Sequence, residues 1–170
     1  MPRPDTTEYP PYYSRYIELA GDGDILQILE RELDSGMRAF RKIPEWDGTY
    51  RYAPGKWSVK EMLGHVIDTE RVMALRALWF ARGGPSPLPG FEQDDWVKNA
   101  NFDGLLMANL VEEWAMLRRS NVAMFKSLPA DAWMRKGTAN NVVLSVRALA
   151  YIIAGHEKHH RDVLAMRYVR

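Results

Sequence analysis

The chain of 170 residues contains no cysteine. That excludes a disulfide framework, a thiolate metal ligand and a cysteine nucleophile, so any metal centre must be built from nitrogen and oxygen donors. A long apolar run is missing as well: the longest apolar stretches are broken by charge well short of a membrane span. The opening segment, Met1-Pro-Arg-Pro-Asp-Thr-Thr-Glu-Tyr-Pro-Pro11, has no apolar core of the signal-peptide kind. A soluble cytoplasmic protein is the expectation. Charge of one sign is also lacking. Lys and Arg total 23 against 22 Asp and Glu, a net charge of +1. That gives no long-range field for nucleic acid or an anionic membrane. Histidine is scarce too, at four residues, and the placement of these four is the most informative feature of the chain.

The length fits one domain with a proper core. Residues 1–20 are rich in proline and tyrosine and read as an extended arm packed on a body spanning 21–170. Four long helical patterns follow. The first covers about 22–42, with Leu26, Leu29, Leu33, Met37 and Phe40 as its stripe and Asp22 or Asp24 as cap. The second covers about 58–82. Ser58 and Glu61 form a capping box at its start, Trp57 and Met62 a hydrophobic staple, and Gly83-Gly84-Pro85 its stop. A linker from Gly83 to Asn101 comes next, and loops of this length are usually functional or cross the fold. The third helix covers about 103–128, a short helical turn fits 130–135, and the fourth helix covers about 143–168. No strand-length alternation competes. The fold class is all-α, a four-helix bundle, and the long second-to-third connection points to a crossover.

His156 and His160 are four apart, so on a helix they point the same way, one turn above the other. They occupy the apolar stripe Leu149, Ile153, His156, His160, Val163 of the last helix, where leucine or isoleucine is expected. His65 lies similarly on the second helix, in line with Met62, Thr69 and Val72. Three imidazoles pointing into a bundle need partners, because an unpaired buried polar group costs about 1–3 kcal/mol. One divalent cation satisfies all three, and three nitrogens suit zinc, nickel, iron and copper alike. A hydrogen-bonded core cluster is the plainer alternative. His159 lies about 80° off the ligand direction; it orients a neighbour or faces solvent, and replaces His160 as ligand only if the helix is rotated. Gly64 and Gly155 each precede one of these histidines. Each is costly inside a helix and marks either a close backbone approach or room for a ligand.

Residues 156–160 also satisfy the H-E-x-x-H pattern of zinc proteases, in which the glutamate is the general base. The context disagrees, since such proteases usually take a third ligand downstream and neither histidine nor glutamate follows His160. A base role for Glu157 stays open beside the alternative of a solvated charge. Glu157-x-x-His160 is half of a di-iron motif whose second half is absent. Asp68, one turn after His65, is a candidate fourth ligand or outer partner. Arg76 is placed to meet an anionic substrate or to form a bundle salt bridge. Phe91, Trp96 and Asp94 or Asp95 are candidates to wall the site from the linker.

Two segments carry a family resemblance: Lys56-Trp-Ser-Val-Lys-Glu-Met-Leu-Gly-His65, and His156-Glu-Lys-His-His160-Arg161. With them the chain resembles the DinB-like superfamily of bundle proteins over nearly its whole length beyond the arm. The resemblance implies an up-down-down-up four-helix bundle. It implies a divalent metal, zinc, nickel, iron or similar, held by His65, His156 and His160, and often a homodimer. Characterised relatives are thiol S-transferases and maleylpyruvate isomerases that use low-molecular-weight thiols; others are described as metal-dependent hydrolases. Many members follow the last histidine with Arg-Gly-Gln, whereas Arg161-Asp162-Val163 stands here. The functional expectation is a metal-dependent transferase or hydrolase acting on a small molecule, possible cosubstrates including a low-molecular-weight thiol. The other reading is a non-enzymatic bundle whose metal is structural or sensory.

Overall fold

The computed structural model describes residues 1–168; the last two residues of the 21–170 body lie outside the described residues. The helices are α1 (Ser14–Ala20), α2 (Ile25–Phe40), α3 (Val59–Ala81), α4 (Gln93–Asn99), α5 (Met107–Lys126) and α6 (Val146–Arg167), with a two-stranded hairpin of β1 (Lys136–Ala139) and β2 (Val142–Ser145). The long helices α2, α3, α5 and α6 form the four-helix bundle.

Their starts are chemically specified. Ser58 Oγ accepts from the Glu61 amide at 3.0 Å and the Glu61 carboxylate accepts from the Ser58 amide at 2.7 Å, the expected capping box. Asp24 caps α2 through the Leu26 and Gln27 amides, and Ser145 caps α6 through the Ala148 amide. Side-chain pairs fix the directions. Glu30 meets Lys126 while Arg41 meets Glu112, so α2 and α5 are antiparallel. Glu70 meets Arg118 while Lys60 reaches the Asp103 carbonyl just before α5, so α3 and α5 are parallel. Tyr151 donates to the Gly23 carbonyl while Arg161 meets Glu32, so α2 and α6 are parallel. The order is up-down-down-up, with α3 packed extensively on α6. Parallel neighbours α3 and α5 require the chain to return over the length of α3, roughly 34 Å; residues 82–106, with α4 among them, make that return.

Three local expectations are corrected. The arm is not extended: residues 6–13 form two 3₁₀ turns and residues 14–20 form α1, which packs on α6. Three of the arm's four tyrosines, Tyr9, Tyr13 and Tyr16, are buried and anchor it to the core. The linker contains a helix, α4. Residues 143–145 are strand, not the start of the last helix. Asn140 and Asn141 both take positive φ (50° and 61°) between paired Ala139 and Val142. That is the geometry of a two-residue hairpin turn, which asparagine tolerates and β-branched Val142 and Val143 extend.

Both glycines beside histidines mark close approach. A Cβ on Gly155 would lie 1.8 Å from the Tyr16 carbonyl oxygen of α1, and one on Gly64 would lie 2.5 Å from the Phe102 ring. Gly155 therefore lets α1 press directly onto α6, and this contact carries Tyr16 to the site.

Candidate metal centre

Antiparallel packing of α3 on α6 brings His65 opposite His156 and His160. His65 Nε2 lies 3.1 Å from His156 Nε2, and His160 Nε2 lies 3.2 Å from the same atom. One nitrogen from each ring falls within 4.8 Å of the others. Two nitrogens bound at about 2.0–2.1 Å to one cation stand about 2.9–3.4 Å apart for angles between octahedral and tetrahedral, so both short spacings fit. Hydrogen bonding within the cluster fits less well. His156 Nε2 has one lone pair or one proton and faces two ring nitrogens. A single cation takes all three lone pairs.

The electrostatics agree with ligation by neutral imidazole. Burial pushes His65 down to about 4. Burial first, and then the neighbouring imidazoles, hold His156 and His160 well below their ordinary range. Trp57 packs on His65 with ring centroids 4.7 Å apart, and Tyr16 packs on His156 at 5.3 Å. Thr69 Oγ1 lies 3.5 Å from His65 Nδ1, on the far side of the ring from the cluster.

The face opens on two cavities. The larger, about 460 Å³, is lined by His65, His156, Thr69, Met73 and Arg76, by Tyr13 and Tyr16 of the arm, and by Asn140 and Val142 of the hairpin. The smaller, about 330 Å³, is lined by His159, His160, Trp57 and Tyr168 among others. Phe91 and Asp94 of the linker reach the larger cavity. Trp96 instead packs on Phe91, with centroids 4.7 Å apart.

The remaining candidates fall elsewhere. His159 stays outside the converging nitrogens, its ring 5.1 Å from that of His160. Asp68 pairs with Arg71 at 3.3 Å and is not among the converging atoms. Glu157 is neither a solvated charge nor a neighbour of the cavities. It is fully buried, and Arg161 Nη1 stands 3.3 Å from its Oε1 without hydrogen-bond alignment. A Cβ on Gly36 of α2 would lie 3.2 Å from the same oxygen. Its carboxylate thus faces α2, away from the converging nitrogens, which removes the geometric basis for a base role. Among the described residues Arg76 forms no salt bridge; it donates to the Pro89 carbonyl at 2.8 Å. Sequence reasoning missed the arm tyrosines and the hairpin wall. Tyr12-Tyr13-Ser-Arg-Tyr16 and the Asn140-Asn141 pair were their signals.

Fold and centre together define a helical-bundle protein with a three-histidine face inside it. Residues 28–164 match the DinB superfamily, and the chain belongs to that superfamily. Two solved Bacillus subtilis structures are similar to it. One is YfiT, a probable metal-dependent hydrolase with an unusual four-helix bundle topology. It shares 14% identity at a TM-score of 0.72, over 84% of this chain and 82% of its own. The other is the DinB-like protein YjoA, with 16% identity at a TM-score of 0.59, over 86% of this chain and 90% of its own. At such identity both show the fold alone. No curated protein matches the chain in sequence. Among the described residues no helix is long and apolar enough to cross a membrane.

Proposed function

We propose that this protein is a metal-dependent enzyme whose divalent cation is held by His65, His156 and His160 and whose substrate is a small molecule bound in the larger cavity. The observation that carries this reading is a three-nitrogen face flanked by open space: His65 and His156 line the cavity of about 460 Å³. A structural site is closed by four protein ligands, whereas a catalytic one keeps a position free.

When bound, the cation supplies Lewis acidity and lowers the pKa of a coordinated water or thiol. The chain itself contributes neutral ligands and a cavity walled by Tyr13, Tyr16 and Thr69; among the described residues no carboxylate converges with the three nitrogens, and the acids on the cavity lining are the exposed Glu92 and Asp94. With Glu157 facing α2 and no cysteine in the chain, a nucleophile activated on the cation is supplied from outside the protein. Water and a low-molecular-weight thiol both meet that requirement. The description of YfiT supports hydrolysis; the DinB-like resemblance supports thiol transfer.

The test is elemental analysis of untagged wild type beside His156→Ala, followed by a screen of the metal-loaded form. Esters and amides would be tried alone, and electrophiles would be tried with low-molecular-weight thiols. Stoichiometric metal in wild type only, with turnover abolished by a chelator, is the expected result. Equal metal in both proteins ends the proposal.

A further inference from the structure

Arg76 is left unused by the metal centre although it lines the same cavity. It ends the row His65, Thr69, Met73, Arg76, whose spacings of four, four and three keep one helical face toward that cavity. Its side chain folds back toward the histidines, with Nη1 3.7 Å from Met73 Sδ and Nη2 2.8 Å from the Pro89 carbonyl. It is 3% exposed. Arg118, Arg147 and Arg161 each hold a glutamate: Glu70, Glu8 and Glu32. Arg76 holds none among the described residues; burial pulls its pKa down, and only the Tyr13 phenol opposes that.

Pinning the Pro89 carbonyl does not require a charge, and a neutral donor would do it without the cost of burying an uncompensated guanidinium. A guanidinium fork matches a carboxylate and binds it through two parallel hydrogen bonds. Glu92 and Asp94 also line the cavity, but both are exposed and solvent screens them. Arg76 is buried.

We infer that Arg76 is a specificity-determining residue that receives the carboxylate of an anionic substrate whose reacting end lies at the histidine centre. This rests on the reading of that centre as a metal site. The helical rise from His65 to Arg76 is about 16 Å, and the folded-back side chain shortens the span to roughly 10 Å. Substrates are therefore expected to carry their carboxylate several bonds from the reacting atom.

The test titrates full-length, cobalt-loaded protein calorimetrically with mercaptohexanoate and with mercaptohexanol, two thiols that differ only at the far end. Wild type is expected to bind the acid about 10- to 100-fold more tightly. Arg76→Gln should bring the two ligands to within about threefold, and Arg76→Lys should keep part of the preference. Equal affinities in wild type overturn the inference, a comparison that stands even if the variants fold poorly. So does a preference that survives in Arg76→Gln. The thiolate–cobalt absorption band is read separately. A missing band with the acid preference intact removes the metal reading and leaves Arg76 standing. A band with no preference removes Arg76 alone.

Discussion

His156 and Glu157 are neighbours in the chain, both buried, and they belong to two polar clusters built in opposite ways. Consecutive helical residues point about 100° apart. His156 faces α3 and α1, where three neutral imidazoles converge beside two cavities with no counter-charge among them. Glu157 faces a charged cluster of Glu32 on α2, Glu70 on α3, Arg118 on α5 and Arg161 one turn further along α6. There Arg118 grips Glu70 with two bonds of 2.7 and 2.9 Å, and Asn121 adds a third of 3.1 Å. None of these charged groups lines either cavity. The carboxyls of Glu32, Glu70 and Glu157 face Arg118 and Arg161, the exposed Arg31 also stands 3.3 Å from Glu32, and burial raises the pKa of Glu157. Burial of polar groups therefore does not by itself mark a site. The carboxylate network pairs opposite charges and borders neither cavity; the histidines carry no counter-charge, converge, and border open space.

The largest expected effect tests the charged side. Arg118→Ala leaves Glu70 buried without its partner and should cost about 3–5 kcal/mol in denaturant unfolding. Loss of metal at a denaturant concentration where the fold survives would mean that the two clusters are one unit. On the open side, His156→Ala should weaken metal binding by more than about 100-fold, since even outer-sphere partners of metal ligands are worth about 10–100-fold. His65→Ala should follow it, while Glu157→Gln keeps its metal in elemental analysis.

The clusters also carry opposite pH signatures in the metal-free protein. Glu157 is pushed up to about 7 by burial from an ordinary 4.5. Between those values the folded chain holds a proton that the unfolded chain has released, so stability falls as pH rises through that window. The size is on the order of 3 kcal/mol, and Glu157→Gln should remove the slope. His65 is pushed down to about 4 from 6.5. There the unfolded chain binds the extra proton, so stability is lost as pH falls from 6.5 toward 4. Urea unfolding of wild type, Glu157→Gln and His65→Ala across pH 4–8 reads both slopes, and parallel profiles for all three would refute the assignment.

A smaller effect tests the wall of the open side. Gly155→Ala must displace α1, because its Cβ would meet the Tyr16 carbonyl at 1.8 Å. A cost of about 1–3 kcal/mol is expected, with faster hydrogen exchange in α1 as its signature. His159→Ala should change metal affinity only a few-fold. A loss as large as that from His156→Ala would put a fourth histidine into the centre.

Much of this was legible from residue order. The capping box at Ser58 and Glu61, the stripe of Leu29, Leu33 and Phe40, and the four-residue step from His156 to His160 are local, and helical periodicity converts each into a direction. The hairpin was missed because its strands have four residues each, too few for alternation to emerge against an adjoining helix. Glu157 was misplaced because a position beside a ligand in sequence is a different face of the helix. Gly64 and Gly155 were ambiguous because a missing Cβ does not say what occupies its space.

By itself the sequence determined the four helices, their polarity-ordered faces and the same-face placement of His156 and His160, since these depend on contacts within a few residues. Tertiary structure alone decided that His65 meets His156 and His160, that Arg118 claims Glu70, and that Arg76 faces a cavity with no carboxylate paired to it among the described residues. Those outcomes depend on how α3 and α6 pack and on where the arm and hairpin close over them, and no local period encodes a distance between segments ninety residues apart.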